Sequence, residues 1–135
     1  MKKRGQASTE YMIIIGFVAL VLIPLIVIFY KQGASTKDQI TTSEADQIAK
    51  KITDAADSVY YMGEPSKMTL KLYMPENVKE ISFSGREIRF KVATANGMTD
   101  ITSVAATNMM GSIDNSQGIK FIVVEARGDY VWVGT

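Results

Sequence analysis

The chain has 135 residues, 47% of them hydrophobic, and 15 basic against 14 acidic side chains give a formal net charge of +1, with no cysteine and no histidine. That length allows one small domain plus a further segment. The missing residue types remove thiol nucleophiles, Ser–His relays, ordinary zinc sites and disulfide staples, and the near-neutral charge without a basic stripe argues against nucleic acid as a partner.

The apolar residues are unevenly spread. Residues 11–30, YMIIIGFVALVLIPLIVIFY, contain no Asp, Glu, Lys or Arg. As a helix this run is about 30 Å long at 1.5 Å per residue, enough to cross the hydrocarbon core of a bilayer. Lys2, Lys3 and Arg4 precede it, whereas Lys31 and Lys37 on the far side are offset by Asp38. The positive-inside tendency therefore puts the N-terminus in the cytoplasm and the remainder outside. Tyr11, Phe29 and Tyr30 suit the two interfaces equally as anchors or as apolar filler.

A secretory signal carries its small-residue cleavage site after the apolar region. Here the small residue, Gly5, comes before it, directly behind Lys3 and Arg4. The string Gly5-Gln6-Ala7-Ser8-Thr9-Glu10-Tyr11 and the apolar helix behind it resemble the class III signal peptide of archaeal type IV pilin-like proteins, with its Q-x-S-x-E-Y pattern. The match covers about the first quarter of the chain. It implies cleavage between Gly5 and Gln6 by a membrane-embedded prepilin peptidase, with Lys3, Arg4, Gln6, Ser8, Glu10 and Tyr11 forming the recognition motif. Losing Lys2, Lys3 and Arg4 would take the formal net charge from +1 to −2 and remove the cations that hold the N-terminus inside.

A carboxylate at the end of a membrane span is a penalty unless paired, although a smaller one than the roughly 2.5–3.5 kcal/mol at the bilayer centre. By the resemblance, Glu10 meets the new α-amino group of Gln6 on a neighbouring subunit, which would set the register between otherwise interchangeable apolar helices. The plainer reading is a first-turn acid favoured by the helix dipole by about 0.3–1 kcal/mol, with Ser8 or Thr9 as N-cap. It leaves the offsets of glycine, glutamine, serine and tyrosine unexplained. Gly16, Ala19 and Pro24 interrupt the span. They are either small residues tolerated in lipid or positions for close packing and bending in a bundle. Assembly would thus rest on Gln6, Glu10, Gly16 and Pro24, and on an assembly ATPase and membrane platform from other proteins, because no P-loop is present.

Residues 33–43 read as a flexible neck or a weakened helix. Thr41 and Glu44 suggest a capping box that opens a second helix, in which Ile48, Ile52, Ala55 and Val59 form an apolar stripe until Gly63 and Pro65 stop it. From Met68 the period changes to two. MTLKLYM, KEISFSG, REIRFKVAT, IKFIVVEA and YVWV read as strands, with turns at Pro75–Asn77, Ser84-Gly85, Asn96-Gly97 and Gly128-Asp129. The expected fold is α+β: a long hydrophobic N-terminal helix, then an amphipathic helix packed on a small antiparallel sheet. The expected division is a cleaved leader over 1–5, the hydrophobic helix over 6–32, the neck over 33–43 and an extracellular head over 44–135.

The head offers little chemistry. Glu44 with Asp46 and Asp54 with Asp57 read as a solvated helix face, and Asp114-Asn115-Ser116 as a turn lacking the spacing of an EF-hand loop. Met109 and Met110 read as loop or core filler before a soft contact surface, and Trp132 as packed on the sheet, sharing with Tyr130 a face open to a neighbouring subunit. Asn77, Asn96, Asn108 and Asn115 all lack Ser or Thr two places on, so no N-glycosylation sequon occurs. That absence departs from the many glycosylated surface pilins and weighs against a heavily exposed major-pilin role. By the resemblance the chain is expected to be a pilin of an archaeal type IV pilus-like filament: no enzyme, no metal, no cofactor. Its partners are identical or related subunits, the prepilin peptidase and the membrane. Before assembly it sits in the membrane and afterwards in a surface filament, with adhesion as the purpose implied by analogy. The alternatives are a minor pilin or pseudopilin that primes assembly, and a membrane-anchored extracellular binding module.

Overall fold

The computed structural model describes residues 2–135. Its elements are α1 (Lys2–Met62), β1 (Lys67–Met74), β2 (Val78–Ser84), β3 (Glu87–Thr94), β4 (Gly97–Val104), β5 (Asn108–Ser112), β6 (Gly118–Arg127) and β7 (Tyr130–Gly134). The chain divides into two compact units, the first ending at Lys37 and the second spanning Asp38–Thr135.

In the first unit every described residue is helical. A helix bonds its own backbone groups, which is the condition for burying apolar sequence in lipid. Pro24 lies inside it and removes one donor, so the carbonyl of Leu20 lacks its usual partner four residues on.

Residues 33–43 also lie within α1, in keeping with the weakened-helix alternative, and no capping box opens a second helix there. A lone glycine costs a helix only about 1 kcal/mol, and no proline follows to enforce a break. Thr41 consequently sits in the helix interior, buried, and caps nothing.

The second unit is the head, built from the C-terminal part of α1 and all seven strands. Ile48, Ile52, Ala55 and Val59 are all buried, and Ala45, Ala49, Ala56 and Thr53 widen their stripe. This apolar face packs into one core with the inward residues of two sheets, among them Phe90, Ile88, Met74, Ile122, Val124 and Val131. Each such side chain contributes about 1.5–3 kcal/mol relative to full exposure.

The fold is α+β, as expected, but the head does not hold the single antiparallel sheet that was expected. Instead, one four-stranded sheet has the order β1-β6-β7-β5 and a second, three-stranded sheet the order β2-β3-β4. The first is mixed, because β5 runs parallel to β7, pairing Asn108 with Tyr130 and Ser112 with Gly134. The hairpins at 84–87 and 127–130 form where the turn residues placed them, with Gly85 and Gly128 in the left-handed region that the turns require.

Strands β4 and β5 carry no alternation strong enough to read in advance. β4 is an edge strand whose first four residues are all exposed, and β5 is NMMGS. What makes β5 a strand is its neighbour. Gly111 lies so close to the backbone of Val133 that a Cβ there would collide with the Val133 carbonyl. Met109, read as filler, is buried core, while Met110 points outward.

Candidate assembly segment

Because α1 begins at Lys2, the recognition string lies within helix. Ser8 and Thr9 are therefore interior positions, not N-caps, and the Thr9 hydroxyl donates to the Gly5 carbonyl at 3.0 Å. That bond spans the expected cleavage point, since its acceptor is on Gly5 and its donor is beyond Gln6. Glu10 stands four residues after Gln6, one helical turn on, so the two share a face. Glu10 is exposed, and among the described residues it has no ion-pair partner. Lys3, Arg4, Gln6 and Tyr11 are exposed as well.

The apolar run that follows is long and apolar enough to cross a membrane, and none of that window is buried. Its large side chains, from Tyr11 through Ile15 and Leu22 to Tyr30, all face outward. Beside Gly16 and Gly33 a Cβ would meet nothing within 4 Å, so their small size answers no contact inside this chain. Any packing role for Gly16 or Pro24 belongs to contacts with other helices.

The head is tied by three side chains of α1 whose partners the sequence did not indicate. Asp38 accepts from the Ala95 N–H at 2.9 Å, Thr53 and Ser103 share a hydroxyl bond of 3.0 Å, and Asp57 accepts from the Ala106 N–H at 2.7 Å. Asp57 is thus a bonded residue of the fold, not part of a solvated acidic pair. Asp46, by contrast, makes an ordinary i,i+4 ion pair with Lys50 at 2.6 Å. The Asp38 and Asp57 bonds left no sequence signal, because their donors are backbone groups of loops far along the chain.

The densest polar cluster lies between β5 and β6. The Lys120 ammonium bonds both Asp114 and Ser116, the Ser116 hydroxyl bonds Asp114 at 2.6 Å, and Asn115 donates to the carbonyls of Val78 and Lys79. Lys120 and Ser116 hold the Asp114 carboxyl far below the usual carboxylate range. These bonds tie the 114–116 turn to β6 and to the backbone of β2. At the end of β6 the Arg127 guanidinium lies over the ring of Trp132 on β7 at 5.1 Å, and Tyr130 and then Glu125 raise the Arg127 pKa. Among the described residues, no group of three or more Asp or Glu side chains is placed to hold a metal ion.

Comparison with protein families, with characterised proteins and with solved structures found no match.

Proposed function

We propose that this chain is a type IV pilin-like subunit of an archaeal surface filament, cleaved between Gly5 and Gln6 and assembled through its apolar helix. The observation that carries the reading is the order of its parts: a cationic stop, a small residue, a typed polar string ending in Glu10-Tyr11, and an apolar helix with nothing covering it. Ordinary signals and ordinary anchors need no residue of fixed type at those offsets. Before assembly, lipid covers the helix, and afterwards neighbouring helices do. Apolar surface gains little by that exchange, so Glu10 paired with the Gln6 amine supplies the directional contact. An external motor supplies the work of extraction, and adhesion is the proposed purpose of the filament.

The head supports the same reading by its self-sufficiency. All of its buried hydrophobic residues lie between Ala45 and Val133, so the apolar helix is free to serve a different partner. Mass spectrometry of the mature N-terminal peptide tests the proposal. A free or modified Gln6 terminus is the expected result, while an intact MKKRG terminus throughout the population would leave an uncleaved anchor and move the function to the head.

A further inference from the structure

Between Gln6 and Lys31, Glu10 is the sole Asp, Glu, Lys or Arg. Cleavage after Gly5 takes Lys2, Lys3 and Arg4 away with the leader, so Glu10 becomes the one charged side chain near the new α-amino group. Gln6 is exposed, and Glu10 follows it one helical turn on.

A terminal glutamine carries a nucleophile and an electrophile in one residue. At neutral pH part of an α-amine with a pKa of about 7.7–8.0 is unprotonated. That neutral amine attacks the carbonyl carbon Cδ of its own side chain, an intramolecular reaction that needs no second reactant. A bond forms between the amine nitrogen and Cδ, the Cδ–Nε2 bond breaks, and Nε2 leaves as ammonia with the proton that the amine gives up. The helix tolerates the five-membered lactam, because the amine of a first residue has no intrahelical acceptor in either form. What changes is charge, since the lactam is neutral and offers Glu10 no cation.

Two influences decide how often the amine is reactive. At the N-terminus of a helix the backbone dipole disfavours a cation and so favours the neutral amine. A carboxylate within about 4–6 Å favours the charged amine, which cannot attack. A cleaved subunit alone in the membrane meets the first influence. One whose amine rests against Glu10 of a neighbour meets the second.

We propose that Gln6 is a self-modification site: it closes to the lactam in cleaved subunits that stay unassembled, and pairing with Glu10 of a neighbouring copy protects it in the filament. Cyclisation thereby withdraws idle subunits from assembly. This inference rests on the cleavage and filament reading, and adds a chemical fate for the subunits that assembly leaves behind.

The test compares two fractions of one culture, sheared filaments and washed membranes, sampled through a chase after protein synthesis is stopped. Free amines are acetylated before digestion, so that lactam formed during handling is not counted, and the N-terminal peptides are weighed by mass spectrometry. The expected result is acetylated Gln6 from filaments at every time. Membranes should yield a growing share of a peptide lighter than the unmodified one by one ammonia. Glu10→Gln subunits, which lack the protecting carboxylate, should reach a lactam share several-fold above that of wild-type filaments of the same age. Equal lactam shares in filaments and membranes, or a Glu10→Gln share no higher than in wild-type filaments, would overturn the protection. Uncyclised Gln6 throughout the chased membranes would overturn the modification. The terminus also separates the two ideas. MKKRG retained in every fraction removes the filament reading and this inference with it, whereas filaments built of subunits that begin with the lactam leave filament assembly standing and remove this inference alone.

Discussion

Asp57, in the last turns of α1, accepts a 2.7 Å hydrogen bond from the backbone N–H of Ala106, in the loop between β4 and β5. A helix side chain thereby satisfies a backbone donor that no strand reaches. Replacing Asp57 by alanine removes the acceptor. The expected loss is about 1 kcal/mol, the usual net value of one hydrogen bond, because the site is partly hydrated. Asp57→Asn keeps an acceptor oxygen and should recover most of it. Chemical denaturation of the full chain in detergent gives both numbers, and equal midpoints for Asp57→Ala and wild type would remove this bond from the account.

Ile52 and Ile40 test the helix face directly. Ile52 is fully buried against the sheets, whereas Ile40, three turns earlier on the same helix, is 55% exposed. Ile52→Ala should cost about 2–5 kcal/mol, a large share of a typical 5–15 kcal/mol stability, and Ile40→Ala less than about 0.5 kcal/mol. The comparison is internal to one helix, so propensity cancels. Similar losses at both sites would contradict the burial described above.

Gly111→Ala should be the most damaging single change in β5. Its φ of +147° already disfavours a side chain, and the added Cβ would strike the Val133 carbonyl, a backbone atom that cannot turn aside. In Gly134→Ala the atoms nearest the added Cβ are those of the Trp132 ring, a side chain that can swing. The parallel β5–β7 pairing should therefore fail in the first variant and survive in the second. Amide hydrogen exchange along residues 108–112 reads the difference, and equal protection in the two would refute it.

Asp114 confers a pH dependence with a definite sign. Lys120 and Ser116 lower its folded pKa below the ordinary value of about 3.9 in an unfolded chain. A depressed carboxyl stabilises the fold above the unfolded pKa, and that contribution disappears as pH falls through the folded pKa. Asp114→Asn should thus be less stable than wild type at neutral pH, with the gap closing below about pH 4. Melting curves of both proteins across that range check the trend. A gap that stays constant into strong acid would mean that the ion pair adds nothing.

Glu10→Gln bears on the proposed assembly. It removes one charge and leaves the side chain nearly the same size, so the head and the span should be unchanged. Filament yield should drop sharply while the cleaved subunit accumulates in the membrane. Electron microscopy of sheared cell surfaces, with the mature terminus measured in parallel, separates assembly from processing. Filaments at wild-type yield would exclude a Glu10 ion pair as the directional contact.

Local pattern sufficed for much of the fold. The apolar run of 11–30 and the Ile48–Val59 stripe are periodicities written in the side chains themselves. The same holds for the alternation in β1, β3 and β6 and for the turn residues at 85 and 128. The Gly5–Tyr11 string is likewise a property of order along the chain, legible without any packing.

Other features depended on what lies across space. Strand β5 exists because Gly111 admits the Val133 backbone, Thr41 is buried because α1 continues past it, and Asp57 is engaged because the Ala106 N–H lies opposite. The division into two sheets and the parallel β5–β7 pair belong to the same class. Side-chain period follows from the geometry of a single helix or strand, so the sequence by itself determined it. Which backbone donor meets which acceptor, and which edge strand finds a neighbour, is set by elements far apart in sequence, so only the tertiary structure could decide it.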